Sequence, residues 1–191
     1  NEALVLDWEW RKHKVDNPLN VRQGRISEIR IGGASQQILS DQDFVRTDAR
    51  QQFWWPIGKK DVLFIRGEAG FTLADSRFGI PQEYLFRAGG IHSVRGYDFM
   101  SLGVREGDAI VGGRTMATGT IEYTHWLFEK WGGAVFTDIG SAADSWQKFN
   151  PSVGYGAGLR WRSPAGPLAL DLARGHETGV FRFHFSIAVA F

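Results

Sequence analysis

Hydrophobic and polar residues alternate with a period of two along most of this chain. Leu4, Leu6, Trp8 and Trp10 are interleaved with Val5, Asp7, Glu9 and Arg11, which predicts a strand with one apolar and one charged face. Turn residues at 16–20 interrupt it, and Ile29 and Ile31 then alternate with Glu28 and Arg30. Val45, Thr47, Ala49, Gln51, Phe53 and Trp55 oppose Phe44, Arg46, Asp48, Arg50 and Gln52, and Leu63, Ile65, Ala69, Phe71 and Leu73 oppose Arg66, Glu68 and Thr72. The alternation stops at 74 and returns after 112. Ile121 and Tyr123 then oppose Thr120 and Glu122, Val135, Thr137 and Ile139 oppose Phe136 and Asp138, and Val153 to Trp161 oppose Gly154 to Arg162. Leu168, Leu170 and Leu172 oppose Ala169, Asp171 and Ala173, and the final segment sets Phe181, Phe183, Phe185, Ile187, Val189 and Phe191 against Arg182, His184, Ser186 and two alanines. This makes about nine strands, each near the roughly 10 residues that a tilted strand needs to cross a bilayer.

The connections predict which ends of the strands lie together. Short turns at 16–20, 56–60, 128–132 and 163–167 alternate with longer loops at 36–42, 74–112, 140–152 and 175–179, the asymmetry of an outer-membrane barrel. A soluble sandwich also alternates, so the faces must decide. The apolar faces are nearly free of charge and carry Trp10, Phe53, Trp55, Phe71, Trp161 and Phe191 toward their ends, as interfacial aromatic girdles do. On this reading Leu4, Trp8, Ile29, Leu63, Ile121, Leu170, Phe183 and Ile187 face lipid. The region 74–112 is glycine-rich but holds Phe78, Tyr84, Phe86, Ile91, Val94, Tyr97 and Phe99, which predicts an ordered loop.

Composition narrows the function classes. The 191 residues carry 22 Lys+Arg against 21 Asp+Glu, a balance that argues against nucleic acid as a partner. With no Cys, disulfides and thiolate chemistry are excluded. A mean hydropathy of −0.24 and the lack of a long apolar run exclude a transmembrane helix but not a membrane barrel. No phosphate-binding loop, dinucleotide fingerprint, nucleophile elbow or zinc motif is present, and the five histidines lack metal-ligand spacing, so no cofactor, metal or catalysed reaction is expected. The best raw material for an outer-membrane hydrolase would be Asp171, His176 and His184 near one barrel end. The chain begins at Asn1 within an alternating segment, which reads as a mature fragment.

One segment is more specific. Phe86-Arg87-Ala88-Gly89-Gly90-Ile91-His92-Ser93-Val94-Arg95-Gly96-Tyr97 resembles the Gly-Gly…Val-Arg-Gly-Tyr/Phe loop of the BamA/TamA superfamily of outer-membrane assembly and translocation proteins. Thr120 to Tyr123, Phe136 to Gly140, and the stretch from Gly154 to Asp171 resemble the same family, and the spacing of loop, strands and terminus is most similar to the TamA branch. The resemblance implies an all-β, antiparallel transmembrane barrel in the bacterial outer membrane. It implies sixteen strands preceded by periplasmic POTRA domains, so that residues 1–191 correspond to the C-terminal part, with the N-terminal strands and POTRA domains absent from the chain. It further implies insertion or secretion of autotransporter-type β-barrel clients, with outer-membrane lipid and a TamB-like periplasm-spanning protein as partners. Phe185, Ile187, Val189 and Phe191 resemble the C-terminal assembly signal of such barrels. A two-partner-secretion pore and the membrane anchor of a patatin-like phospholipase are the alternatives.

Glu122 and Asp138 share parity and so share the charged face. A hairpin symmetric about Lys130 would place them directly opposite, a destabilising like-charge pair unless a cation intervenes. From the residues alone, two solvated lumen carboxylates and an unrelated loop arginine explain the pattern as well. The resemblance implies instead that the loop folds into the barrel, where Arg95 bridges both acids, Gly96 permits the backbone turn and Tyr97 packs on the inner wall. An odd strand count leaves three outcomes for the edges. Either the first segment leaves the sheet and eight strands close, or two copies pair edge to edge, or the missing strands come from the rest of the parent. Eight closed strands have no room for the loop, so the bridge and a small closed monomer exclude each other, and the larger barrel is expected.

Overall fold

A computed structural model describes residues 4–35, 42–164 and 166–187. Its strands are β1 (Leu6–Val15), β2 (Gly24–Ala34), β3 (Phe44–Ile57), β4 (Asp61–Leu73), β5 (Val104–Glu106), β6 (Ala109–Val111), β7 (Thr115–Trp126), β8 (Trp131–Ala143), β9 (Ser152–Ser163), β10 (Gly166–Gly175) and β11 (Phe181–Ile187). Nine of them form one sheet in the order β1-β2-β3-β4-β7-β8-β9-β10-β11, and β5 and β6 form a small hairpin apart from it. Every neighbouring pair in the large sheet is antiparallel.

Register carries the alternation from strand to strand. Trp10, Ile29, Ala49 and Ala69 stand in one row, and Tyr123, Val135 and Ala157 in another. Because side chains alternate across the pleat, the positions of these two rows all share one face. Among the described residues no second sheet covers that face: Leu6 is 82 % exposed, Phe183 76 % and Ile121 51 %. A soluble sandwich would have packed these side chains between two sheets, whereas a band of uncovered apolar side chains is what a barrel wall presents to lipid. Of the positions expected to face lipid, Trp8, Ile121, Leu170, Phe183 and Ile187 are exposed on it, and Ile29 and Leu63 are half-buried among their neighbours. Leu4 is exposed but precedes β1.

The sheet curls around its charged face. The β1–β2 turn residue Asn20 and the β11 residue Ser186 line the same cavity of about 440 Å³. Arg162, at the end of β9, donates from Nε to Asn20 Oδ1 at 2.9 Å. The segment between β4 and β7 fills the upper part of this concavity. It is ordered by backbone bridges between Phe86 and Gly113 and between Ala88 and Leu102. Ile80, Leu85, Phe86, Ala88, Val94 and Tyr97 are buried, so the core lies between loop and sheet.

One alternative falls and two expectations change. β1 pairs with β2 through all ten of its residues, so it does not leave the sheet and no eight-stranded closure arises. The β7–β8 hairpin closes one residue earlier than symmetry about Lys130 requires, with Glu122 opposite Phe136 and Asp138 opposite Thr120. Bulk explains this register: Gly132 faces Trp126, and a Cβ there would lie 2.8 Å from the His125 carbonyl oxygen and 3.0 Å from the indole. Finally, β8 runs to Ala143, so the loop expected from 140 starts later. The loop at 36–42 lies, apart from Gln42, outside the described residues, as do Val189 and Phe191. Among the described residues, β1 and β11 each pair on one side only.

Candidate functional site: the loop arginine and its socket

Arg95 lies on the loop, between the buried Val94 and the turn residue Gly96. Its guanidinium meets carboxylates from β7, β8 and β10. Nε donates to Asp138 Oδ2 at 2.7 Å and Nη2 to Asp138 Oδ1 at 3.0 Å, a bidentate pair. Nη1 donates to Glu122 Oε2 at 2.8 Å and to Asp171 Oδ2 at 2.9 Å. The Arg95 backbone N–H adds a bond to Asp138 Oδ2 at 3.1 Å. Below the guanidinium plane, the Phe136 ring centroid lies 3.4 Å away, a cation–π contact. Lysine, with a point charge, cannot satisfy this planar arrangement.

The structure therefore brings Arg95, Glu122 and Asp138 together, though the acids are diagonal rather than opposite. It adds two residues that sequence reasoning did not place here. Asp171 contributes a third acid, and Arg160 donates from Nε to Glu122 Oε1 at 3.0 Å and also bonds Asp171. Two guanidiniums thus face three carboxylates. The Arg95 side chain is 5 % exposed and that of Asp138 fully buried, so neither charge would persist without the other. Burial works against the Arg95 charge, but Asp138 and Glu122 outweigh it and raise its affinity for the proton above that of free arginine.

Glycines make the approach possible. Gly96 has φ +90°, and a Cβ there would sit 2.5 Å from Gly175 N, so the position excludes other residues. Gly154, on β9 opposite Asp138, leaves its side-chain space to the Arg95 carbonyl, since a Cβ would lie 1.8 Å from that oxygen. Gly158 similarly leaves space for the Asp171 carboxylate. Gly154 and Gly158 are thus the places on β9 where the loop and an ion pair press on the strand. Tyr97 is buried and donates its hydroxyl to the Val153 carbonyl at 3.3 Å.

Asp171 and His184 stand opposite each other on β10 and β11, but neither is available as a hydrolase pair. Asp171 accepts from Arg95 and Arg160, and His184 Nε2 accepts the Gly96 N–H at 3.0 Å. His176 lies apart, beside the Tyr155 ring. Among the described residues, no group of three His, Asp or Glu side chains is disposed to hold a metal.

Residues 2–191 match the Omp85 superfamily domain. The chain is 33 % identical over 209 residues to outer membrane protein assembly factor BamA of Nitratidesulfovibrio vulgaris, a match covering 100 % of this chain and 26 % of that protein. It is 36 % identical over 155 residues to the chloroplastic outer envelope protein 80 of Oryza sativa subsp. japonica, covering 75 % of this chain and 21 % of that protein. Among solved structures, BamA from Haemophilus ducreyi lacking POTRA domains 1-3 superposes with a TM-score of 0.79 at 19 % identity, covering 95 % of this chain and 41 % of that one. The chain spans about a quarter of the length of the bacterial relative.

Proposed function

The chain belongs to the Omp85 superfamily and to the bacterial outer membrane, and on that premise we propose that it is the C-terminal part of a larger barrel that assembles other β-barrel proteins into that membrane. The observation that carries the reading is the loop arginine seated on acids from three strands, which holds a long loop inside the concavity of an open, one-layered sheet. The single-sided pairing of β1 and β11 supports the larger barrel, because backbone groups unpaired in hydrocarbon each cost several kcal/mol. The remaining strands come from the rest of the parent or from a second copy pairing edge to edge. The mechanism needs no cofactor. A strand edge offers its N–H and C=O groups to an incoming strand by β-augmentation, while Arg95, Gly96, Tyr97, Glu122 and Asp138 keep the loop in place behind the sheet.

Clients of the autotransporter type and a TamB-like partner are the narrower form of this proposal, supported by the resemblance of loop spacing to the TamA branch. Phe185 and Ile187, exposed on the lipid face, together with Val189 and Phe191, form the proposed assembly signal. The test is reconstitution of the full protein carrying this chain into liposomes with an unfolded autotransporter barrel as client. Accelerated client folding, weakened by Arg95→Ala, is expected. Normal folding of the protein itself with no acceleration of any barrel client would reject the assembly reading and leave the secretion-pore and anchor alternatives.

A further inference from the structure

Besides its socket, the loop is attached at a second place, on β11. Arg182 donates from Nε to Asp98 Oδ1 at 2.7 Å and from Nη2 to Asp98 Oδ2 at 2.8 Å. Its Nη1 donates to the Gly96 carbonyl at 2.8 Å. The Gly96 N–H in turn donates to His184 Nε2 at 3.0 Å. Both backbone polar groups of Gly96 are therefore taken by β11, while the preceding residue is the socket arginine. Arg182 and His184 are alternate residues and so project from the same, inward face of the strand.

The two attachments differ in strength. The Arg95 socket is buried, whereas the Asp98 side chain is 70 % exposed and that of Arg182 23 % exposed. The Arg182 guanidinium pulls the Asp98 carboxyl below the usual carboxylate range, so the pair is charged at neutral pH. Exposed ion pairs are individually weak, while breaking buried ones is strongly unfavourable. β11, like β1, has β-partners on one side only among the described residues, so contacts from the loop add to a strand held by a single neighbour.

We propose that Arg182 and His184 are positioning residues forming a releasable clasp, which fastens the last described strand to the loop and makes that strand's opening depend on the loop's seating. The buried socket holds the loop to β7, β8 and β10, and the clasp passes that hold to β11. The clasp rests on the assembly reading only for its purpose, which is to restrain the strand at the proposed seam. Its existence is measurable without any client.

The experiment is hydrogen exchange followed by mass spectrometry on the full protein carrying this chain in lipid nanodiscs. Arg182→Ala and Asp98→Ala should each speed exchange of the 181–187 segment about threefold to tenfold, with the 115–143 segment unchanged, as local opening of one strand requires. The double variant should exchange no faster than Arg182→Ala alone, because that substitution already removes the Asp98 contact together with the bond to the Gly96 carbonyl. Arg182→Lys should fall between wild type and alanine, and the swapped pair Asp98→Arg with Arg182→Asp should recover part of the protection. Wild-type exchange in both single variants, additive effects in the double one, or equal acceleration across the whole sheet would overturn the clasp. Should the alanine variants not fold, the lysine variant and the swapped pair decide it by the same readout. Client assembly does not enter this measurement, so loss of the assembly reading would leave the clasp standing, and the reverse.

Discussion

The two halves of the sheet handle charge in opposite ways. In β1–β4, acids and bases stand opposite one another across strands: Glu9, Arg30 and Asp48 form one row, and Arg11, Glu28, Arg50 and Glu68 another. Arg50 reaches Glu68 at 2.9 Å and Glu28 at 3.4 Å, and Arg30 reaches Glu9 at 3.1 Å. In β7–β11 the acids have no arginine or lysine opposite. Asp138 lies between Thr120 and Gly154, Asp171 between Gly158 and His184, and Glu122 between Phe64 and Phe136. Part of their compensation comes from Arg160, and the rest from the loop. The first half is a wall neutralised within itself, and the second is a socket neutralised by a segment from outside the sheet. A wall can stand without the loop. A socket of three carboxylates cannot be emptied without leaving charge uncompensated.

The sharpest way to break this contrast is to empty the socket. Arg95→Ala should lower unfolding free energy by about 3–5 kcal/mol in urea titrations of the protein in lipid, and should expose the loop to trypsin. Arg95→Lys should restore only part, since one ammonium cannot span three acids. Unchanged trypsin sensitivity in the alanine variant would mean that the loop is held by something else. The next effect acts through space rather than charge. Gly154→Ala pushes a methyl into the Arg95 carbonyl and should cost about 1–3 kcal/mol, with the loop again opened to protease. A variant as stable and as protected as wild type would show that β9 does not support the loop. Phe136→Leu keeps bulk but removes the ring beneath the guanidinium. We expect a loss of about 0.5–2 kcal/mol with the loop still protected, and loss of that protection would promote the ring from supporting contact to anchor.

The smallest effect belongs to the other half. Arg50→Ala, in a half-exposed row, should cost about 1 kcal/mol or less and leave loop proteolysis at the wild-type rate. If it opened the loop as Arg95→Ala does, the two halves would be one electrostatic unit and the contrast would fail. Combining Arg50→Ala with Arg95→Ala sharpens the same point, because independent sites add to within about 0.5 kcal/mol.

How much of this could be read beforehand depends on how local each feature is. The strands, the membrane-facing residues Trp8, Ile121 and Phe183, and the shared face of Glu122 and Asp138 follow from parity, since a side chain's direction in a strand reverses at each residue whatever lies beyond it. The loop's order was legible in its aromatic content, and the importance of Arg95 in its resemblance to a known loop. The hairpin register was not, because it turns on Gly132 yielding space to Trp126, a cross-strand contact that symmetry about a turn does not reveal.

The period, the two faces and the family are all legible in the order of residues. The further charge partners emerge only from the packing of the strands. Asp171 is 76 residues from Arg95 and Arg182 is 84 from Asp98, and in the chain each looks like any other charged residue on a strand's polar face. Their roles arise because nine strands curl until β7, β8, β10 and β11 converge on one loop. Period and parity describe each strand alone, whereas an ion pair needs the positions of two distant segments, set by strand order, register and curvature together.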